Sequence, residues 1–506
     1  METIENQLQP GGADAAVSYA LRRVECRRER AQRLTQGETR NAWKRLLGFA
    51  GTAEGSSRFA RVVRHIRRAG DASLPQAGNV QWEDPAIPYV REDGGDLAIV
   101  SGGVSVVIPT WNAGAEFERL LQALRAQRGF DRVEIVVVDS GSSDQTLALA
   151  RTHGAKLVRL PHEEFSHSHA RNLGVAQATG EYLMVMTQDA MPTSRFWLYN
   201  MYLALTHRKE IAAVSCAEFP RRDADLYQRA ASWSHYRDIG AYERDALHVM
   251  PQGGSANVLR WNAQLSDVAC FMRAETARRY PYTGDYAEDL ALGLRLIRDG
   301  YSTCFLGREL VIHSHCRPAW YYLRRAYKDV TTIRTLIQDF PVEAQRFEEV
   351  VPDALLTCAL LDDFLRHDAL NCLSAPVALD DAAAAIEEYL DEMRYLHEAI
   401  ALPQEKPDWL DADCWALLQA LALEGWQPAV QAGRMLEDIR GWLKTLFDYM
   451  RCCYDFINGE LYAQLRLALG KAFASALGTR LAFCRLTQVE PDARAEALYR
   501  RIGAGV

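Results

Sequence analysis

The stretch that decides the fold is Val133-Glu134-Ile135-Val136-Val137-Val138-Asp139-Ser140-Gly141-Ser142-Ser143-Asp144. Val133 to Val138 is a run of β-branched residues with no sustained polar alternation, which predicts a strand buried on both faces of a parallel sheet. Such a strand carries its last residue to the carboxyl edge of the sheet, where open α/β folds bind ligands. Asp139 occupies that position, followed by a Gly/Ser turn. A second copy lies upstream, where Val104-Ser105-Val106-Val107-Ile108 runs into Pro109-Thr110-Trp111-Asn112. Between the two, Phe117, Leu120, Leu121 and Leu124 share one helical face, so the pair reads as a βαβ unit. An acid at such an edge suits a nucleotide's base and ribose hydroxyls, and Thr110 and Trp111 add a hydroxyl and an aromatic face.

The 506 residues suffice for two or three domains, and a composition 48% hydrophobic and 25% charged is that of a globular protein. Eleven scattered cysteines without a C-x-x-C pair argue for reduced thiols and against a disulfide framework or a cysteine zinc site. The first residues lack the features of a signal peptide, and no apolar run of about 18 residues is evident. These features predict a cytoplasmic location. The net charge of −8 is uneven: residues 1–70 carry 14 basic and 7 acidic side chains, residues 331–506 carry 16 and 28. Arg22, Arg23, Arg27, Arg28 and Arg30 therefore read as a solvated face pairing with the acidic end, with attraction to an anionic inner-membrane surface as the alternative. A pI near 5.9 and the absence of any recognition motif argue against nucleic acid.

Residues 1–70 are expected to be helical and 71–103 a linker. Residues 104–325 alternate strands (near 104–109, 133–138, 155–160, 182–186, 211–216 and 302–305) with helices. Residues 326–506 read as a helical domain; Ile386, Tyr389, Leu390, Met393 and Leu396 fit one helical face. The segment 220–255, with Trp233, His235, Tyr236 and Arg237, lacks periodicity and reads as a long loop, a lid or an acceptor site.

Four further stretches follow in order: Phe165-Ser166-His167-Ser168-His169-Ala170-Arg171-Asn172, Thr187-Gln188-Asp189-Ala190-Met191-Pro192, Ala287-Glu288-Asp289 and His313-Ser314-His315. With the two strand ends they resemble the GT-A glycosyltransferases of family 2. The patterns F-x-H-x-x-x-R-N, T-Q-D-A-x-P, A-E-D and H-S-H are similar to the bacterial rhamnosyltransferase branch. The resemblance spans 104–325. It implies an α/β, Rossmann-like GT-A catalytic domain flanked by helical regions, and inverting transfer of a sugar, L-rhamnose or another deoxyhexose, from a dTDP- or UDP-sugar. The acceptor would be a hydroxyl of a glycan, a lipid-linked glycan or a protein.

Under that resemblance, Pro109, Thr110, Trp111, Asp139, Arg171, Gln188 and Asp189 hold the donor nucleotide, Arg171 reaching the base or phosphates. Asp189 stands in the family's D-x-D position with Thr187 where the first acid would be. A leaving diphosphate accumulates negative charge, so a divalent cation, Mg²⁺ or Mn²⁺, is expected on Asp189 with His315, and His313 as second choice. Asp289 would deprotonate the acceptor, with Glu288 beside it; helix-start amides are expected to keep the pair ionised. His167, Asp285 and His313 are secondary positions. Two other classes compete. A nucleotidyltransferase would need a Gly-rich phosphate loop after the first strand, which Pro109-Thr110-Trp111-Asn112 is not. A silent scaffold would have no reason to keep Asp139, Asp189, Asp289 and His315 together.

Overall fold

In the computed structural model the described residues are 85–90, 97–221, 223–238, 244–367, 376–393, 401–429, 433–488 and 493–503. The basic segment 1–70 lies outside them, and with it the pairing expected for its arginines. One sheet organises the α/β part, from β1 (Val104–Thr110), β2 (Val133–Asp139), β3 (Lys156–Arg159), β4 (Tyr182–Met186), β5 (Met191–Pro192), β6 (Ile211–Phe219), β7 (Ala246–His248), β8 (Ala269–Arg273) and β9 (Ser302–Ile312). Its order is β3-β2-β1-β4-β8-β6-β9-β5, with β7 also on β9. The chain steps outward from β1 to β3, then returns to place β4 on the other side of β1. That reversal is a topological switch point, where the connections diverge and leave a crevice at the carboxyl ends of the strands.

The register places the crevice's walls. Thr110 pairs with Asp139 in parallel, and β4, also parallel to β1, ends just before Thr187. Strand β8 is antiparallel to β4, with Ala269 opposite Met186, so its beginning lies at the edge where β4 ends. Strand β6 is antiparallel to β8 and parallel to β9, so both β6 and β9 finish at that same edge. The strand expected near 302–305 runs on to Ile312, with a shift of register where Cys216 and Ala217 pair with Leu306 and Leu310. Strands β5 and β7 were not among the expected ones; they are only two and three residues long, and period-based reading needs more.

Around the sheet lie α1 (Glu116–Arg125), α2 (Thr146–Thr152), α3 (His167–Gln177), α4 (Trp197–His207), α5 (Leu226–Asp238), α6 (Ala256–Asn262), α7 (Ala274–Arg279), α8 (Glu288–Arg298) and α9 (Ala319–Leu336). Helix α1 buries the expected face, Phe117, Leu120, Leu121 and Leu124. Helix α3 lies on β1 and β2 at Gly174, where a Cβ would come within 2.2 Å of Val107 Cγ1. The helical part adds α10 (Phe347–His367), α11 (Leu379–Met393), α12 (Ala412–Leu423), α13 (Arg434–Cys453), α14 (Gly459–Thr487) and α15 (Ala493–Gly503), with a small β10–β11 ladder (Val377–Ala378, Phe456–Ile457).

Two expectations change here. The segment 220–255 is not one long loop: the 13 residues of α5 lie within it, and Leu226, Tyr227, Ala230 and Trp233 are buried in the core of the C-terminal helices. Period analysis missed α5 because it is buried on several sides, so it shows little amphipathic contrast. The boundary expected at 325/326 falls inside α9, whose Tyr322, Leu323 and Tyr327 belong to that same core. Helix α14 runs through the middle of it, and at Gly478 a Cβ would stand 2.0 Å from Leu323 O of α9. By length and hydropathy α14 also meets the criteria of a membrane-spanning helix, contrary to expectation, yet 72% of its apolar window is buried against protein. Several acids of this part pair with its own arginines: Arg440 with Glu387 and Asp391, Arg480 with Asp438 and Glu343.

Candidate active site

Three groups of side chains meet at the shared strand edge. At the ends of β1 and β2, Asp139 is buried and fully occupied. Its Oδ1 accepts from the amides of Gly141 and Ser142 at 3.1 and 3.0 Å, and its Oδ2 from the hydroxyls of Thr110 and Ser142 at 3.1 and 2.5 Å. A base imide reaching Asp139 would therefore have to replace the Ser142 hydroxyl. Gln188 grips the backbone of Trp111 from both sides, accepting from its amide at 2.9 Å and donating to its carbonyl at 3.2 Å. Its amide thus fixes the β1 turn, and Trp111 is left with 53% of its surface exposed, its ring 5.7 Å from that of His162. Pro109, within β1, is half-buried behind it.

The second group gathers where β4, β6 and β9 end. Asp189, His313 and His315 each offer one ligand atom, all within 4.8 Å of one another. His313 Nε2 lies 3.5 Å from Asp189 Oδ1, and His315 Nδ1 lies 3.4 Å from Asp189 Oδ2. On its other side His313 Nδ1 meets Glu218 Oε2 at 2.9 Å, and Arg221 reaches to 3.8 Å from Asp189. Burial alone would raise Asp189, but the close approach and charge of His313, with His315, hold it well below the usual carboxylate range. Burial disfavours the imidazolium of His313, yet Asp189 and Glu218 on either side push its pKa up to about 10. Burial and the His313 charge lower His315 to about 4. The Nε2 of His313 is buried without a hydrogen-bond partner and aimed at Asp189. An orphaned nitrogen, a second imidazole and an ionised carboxylate on one spot fit a divalent cation.

The third group is the carboxylate cluster at the start of α8. Arg171, only 2% exposed, ion-pairs with both Asp267 and Glu288. Its neighbour Asn172 clasps the backbone of Tyr282, donating to its carbonyl and accepting from its amide, both at 2.8 Å. Ser168 donates to Gly284 O at 2.6 Å. The Arg-Asn pair of α3 therefore anchors the loop that presents Glu288 and Asp289, and Arg171, expected at the base or phosphates, is ion-paired with Asp267 and Glu288. The ionised state expected for the acids is also corrected. Burial, then Asp267, push Glu288 up to about 7 although Arg171 opposes this. Asp289 is raised well above its ordinary value by burial and by its neighbours Asp267 and Glu288. Three acids share one guanidinium, and the amides at the helix start do not outweigh that repulsion. Asp289 Oδ1 accepts from the amide of Leu290 at 2.7 Å. Asp285 is exposed on the preceding loop, and His167 stands edge-on to Phe165 at 5.2 Å.

Asp267 and Glu218 escaped the sequence reading. Glu218 sits near the end of a strand, the signal that marked Asp139, but the strand was expected to stop at Cys216. Asp267 lies just before β8, in a connection that carries no motif of its own.

Residues 105–264 match the family model described as glycosyl transferase family 2. O-antigen chain rhamnosyltransferase RfbN of Salmonella typhimurium is 26% identical over 216 residues, covering 42% of this chain and 66% of its own length. Uncharacterized protein MT1568 of Mycobacterium tuberculosis is 36% identical over 226 residues, 42% of this chain and 67% of its own length. The chain thus spans about two thirds of these relatives. Among solved structures, the mannosyltransferase PcManGT from Pyrobaculum calidifontis, in complex with GDP-Man and Mn²⁺, is 18% identical. Its TM-score is 0.39, covering 79% of this chain and 96% of that one.

Proposed function

The chain belongs to glycosyl transferase family 2, and from that premise we propose that it is an inverting transferase of a nucleoside-diphosphate sugar. The donor would be a dTDP- or UDP-deoxyhexose, L-rhamnose foremost, and the acceptor a hydroxyl of a surface-glycan precursor, a lipid-linked glycan or a protein. Similarity to the O-antigen chain rhamnosyltransferases supports the deoxyhexose and the glycan. The observation that carries the reading is the convergence of all three groups on one edge of the sheet: Trp111 with Asp139, Asp189 with two imidazoles, and the acids of α8.

Each group has a role in such a displacement. The exposed indole of Trp111 stacks on the base, and Asp139 shapes the turn that receives the ribose. Asp189, His315 and His313 would hold a divalent cation, Mn²⁺ or Mg²⁺, which when bound supplies positive charge to the departing diphosphate. Asp289 takes the proton of the acceptor hydroxyl as its oxygen attacks the anomeric carbon from the face opposite the diphosphate. The bond from that carbon to the phosphate oxygen breaks, and the sugar changes anomeric configuration. Glu288 and Arg171 hold Asp289 in place. A base whose pKa is raised is a better proton acceptor once ionised. The protein would work in the cytoplasm, at or near the inner membrane face where lipid-linked acceptors lie.

The test is nucleoside-diphosphate release by the purified chain from dTDP-rhamnose, UDP-sugars and GDP-sugars, each with and without Mn²⁺. Turnover of a pyrimidine donor is expected. Turnover of GDP-sugars alone would refute the base assignment, and turnover of none would refute the function.

A further inference from the structure

The carboxylate behind His313 has no part in the reading above. Glu218 is near the end of β6, its side chain 20% exposed, and three donors surround it. His313 Nδ1 lies 2.9 Å from Oε2, while the Tyr236 hydroxyl of α5 and the Ser266 hydroxyl donate to Oε1 at 2.9 and 2.8 Å. The backbone fixes the pair as well, since the His313 amide donates to Phe219 O at 2.9 Å. A carboxylate at Nδ1 requires the proton on that nitrogen and leaves Nε2 to face Asp189, from which it is 3.5 Å away. A carboxylate–imidazole pair of this kind orients the ring, fixes its tautomer and makes the far nitrogen a stronger ligand. The ring of His313 stands nearly perpendicular to that of His315, at 85° and 4.7 Å between centroids, so both present nitrogen to Asp189 without stacking on each other.

We propose that Glu218 is a positioning residue that makes His313 a second imidazole ligand, so that the site selects a first-row transition-metal ion over Mg²⁺. The inference rests on the reading of Asp189, His313 and His315 as the cation site. Mg²⁺ takes hard oxygen donors and keeps its waters, whereas imidazole favours the transition series. A site with one carboxylate and two imidazoles therefore holds Mn²⁺ in preference to Mg²⁺, which a site of Asp189 and His315 alone would do less. Tyr236 extends the chain of contacts into α5, whose other face is packed in the C-terminal helices, so those helices help to set the ligand geometry.

The experiment uses the full chain without donor. Mn²⁺ and Mg²⁺ affinities are measured by calorimetry, and the imidazole nitrogens on bound Mn²⁺ are counted by electron spin-echo spectroscopy. Wild type is expected to show two imidazoles and to bind Mn²⁺ more tightly than Mg²⁺. Glu218→Gln is expected to lose Mn²⁺ affinity by about 10- to 100-fold and to show one imidazole, with circular dichroism unchanged. Should that variant not fold, the wild-type nitrogen count decides by itself. A single imidazole in wild type, equal affinity for Mg²⁺, or unaltered Mn²⁺ binding by folded Glu218→Gln overturns the inference while leaving the proposed function standing. No Mn²⁺ binding by wild type overturns the cation site, and this inference with it.

Discussion

Replacing Arg171 by Met tests whether that arginine serves the acids or the donor. The guanidinium is 3% exposed as a side chain and sits between Asp267 and Glu288, with Asp289 adjacent. Removing one partner of a buried ion pair leaves uncompensated charge and typically costs about 3 to 5 kcal/mol. The cost depends on pH in a definite sense. Glu288, already raised to about 7 with Arg171 present, is raised further without it, since Arg171 opposes the shift. A carboxyl raised in the folded state keeps its contribution at low pH and loses it as pH climbs through the folded value. At pH 5.5 Glu288 and Asp289 of the variant are protonated, and the deficit should shrink to about 1 to 2 kcal/mol of lost hydrogen bonding and packing. At pH 8 it should reach the full 3 to 5. Urea denaturation of wild type and Arg171→Met at both pH values gives the two differences, and calorimetry gives dTDP and UDP affinity, expected to stay within a few-fold. Equal deficits at the two pH values would refute the ion-pair argument. Lost nucleotide affinity without lost stability would return Arg171 to the donor.

Asp289→Asn should retain nucleotide affinity by calorimetry and lower kcat by about 10² to 10⁴, the range for a general base; a near wild-type rate would move the role to Glu288. The wild-type rate should rise with pH as Glu288, raised to about 7, and Asp289, raised well above its ordinary value, lose their protons, and a pH–rate profile flat from 5 to 8 would contradict this. Trp111→Ala should weaken nucleotide binding by about 1 to 3 kcal/mol, the contribution of one base–aromatic stack, with the melting temperature unchanged because the indole is exposed. Gly478→Val should lower the melting temperature through its collision with Leu323 O, and it should reduce transfer by displacing α9. Full stability in that variant would mean that α14 and α9 can separate without loss.

Local pattern sufficed for much of this. Short apolar runs read as strands buried on both faces, so β1, β2 and β4, with Thr110 and Asp139 ending the first two and Asp189 just beyond the third, could be placed from the chain alone. The face of α1 was legible for the same reason. What could not be read was everything set by contacts distant in sequence. Arg171 and Glu288 are 117 residues apart, and nothing near either one shows that the guanidinium is spent on carboxylates. The raised acids of α8 follow from that crowding, because a pKa reports all charges within a few ångströms, whatever their position in the chain. Glu218 and His313 meet only because β6 and β9 run parallel and end together. Helix α5 escaped because burial on several sides erases the amphipathic contrast that identifies a helix. The position expected for the boundary falls inside a helix because α9 packs into two clusters, Tyr322 and Leu323 in one and Ile333 in the other. Residue type and spacing determined which chemical groups reach the strand edge; only the tertiary structure decided which of them are paired, and therefore which remain to act on a substrate.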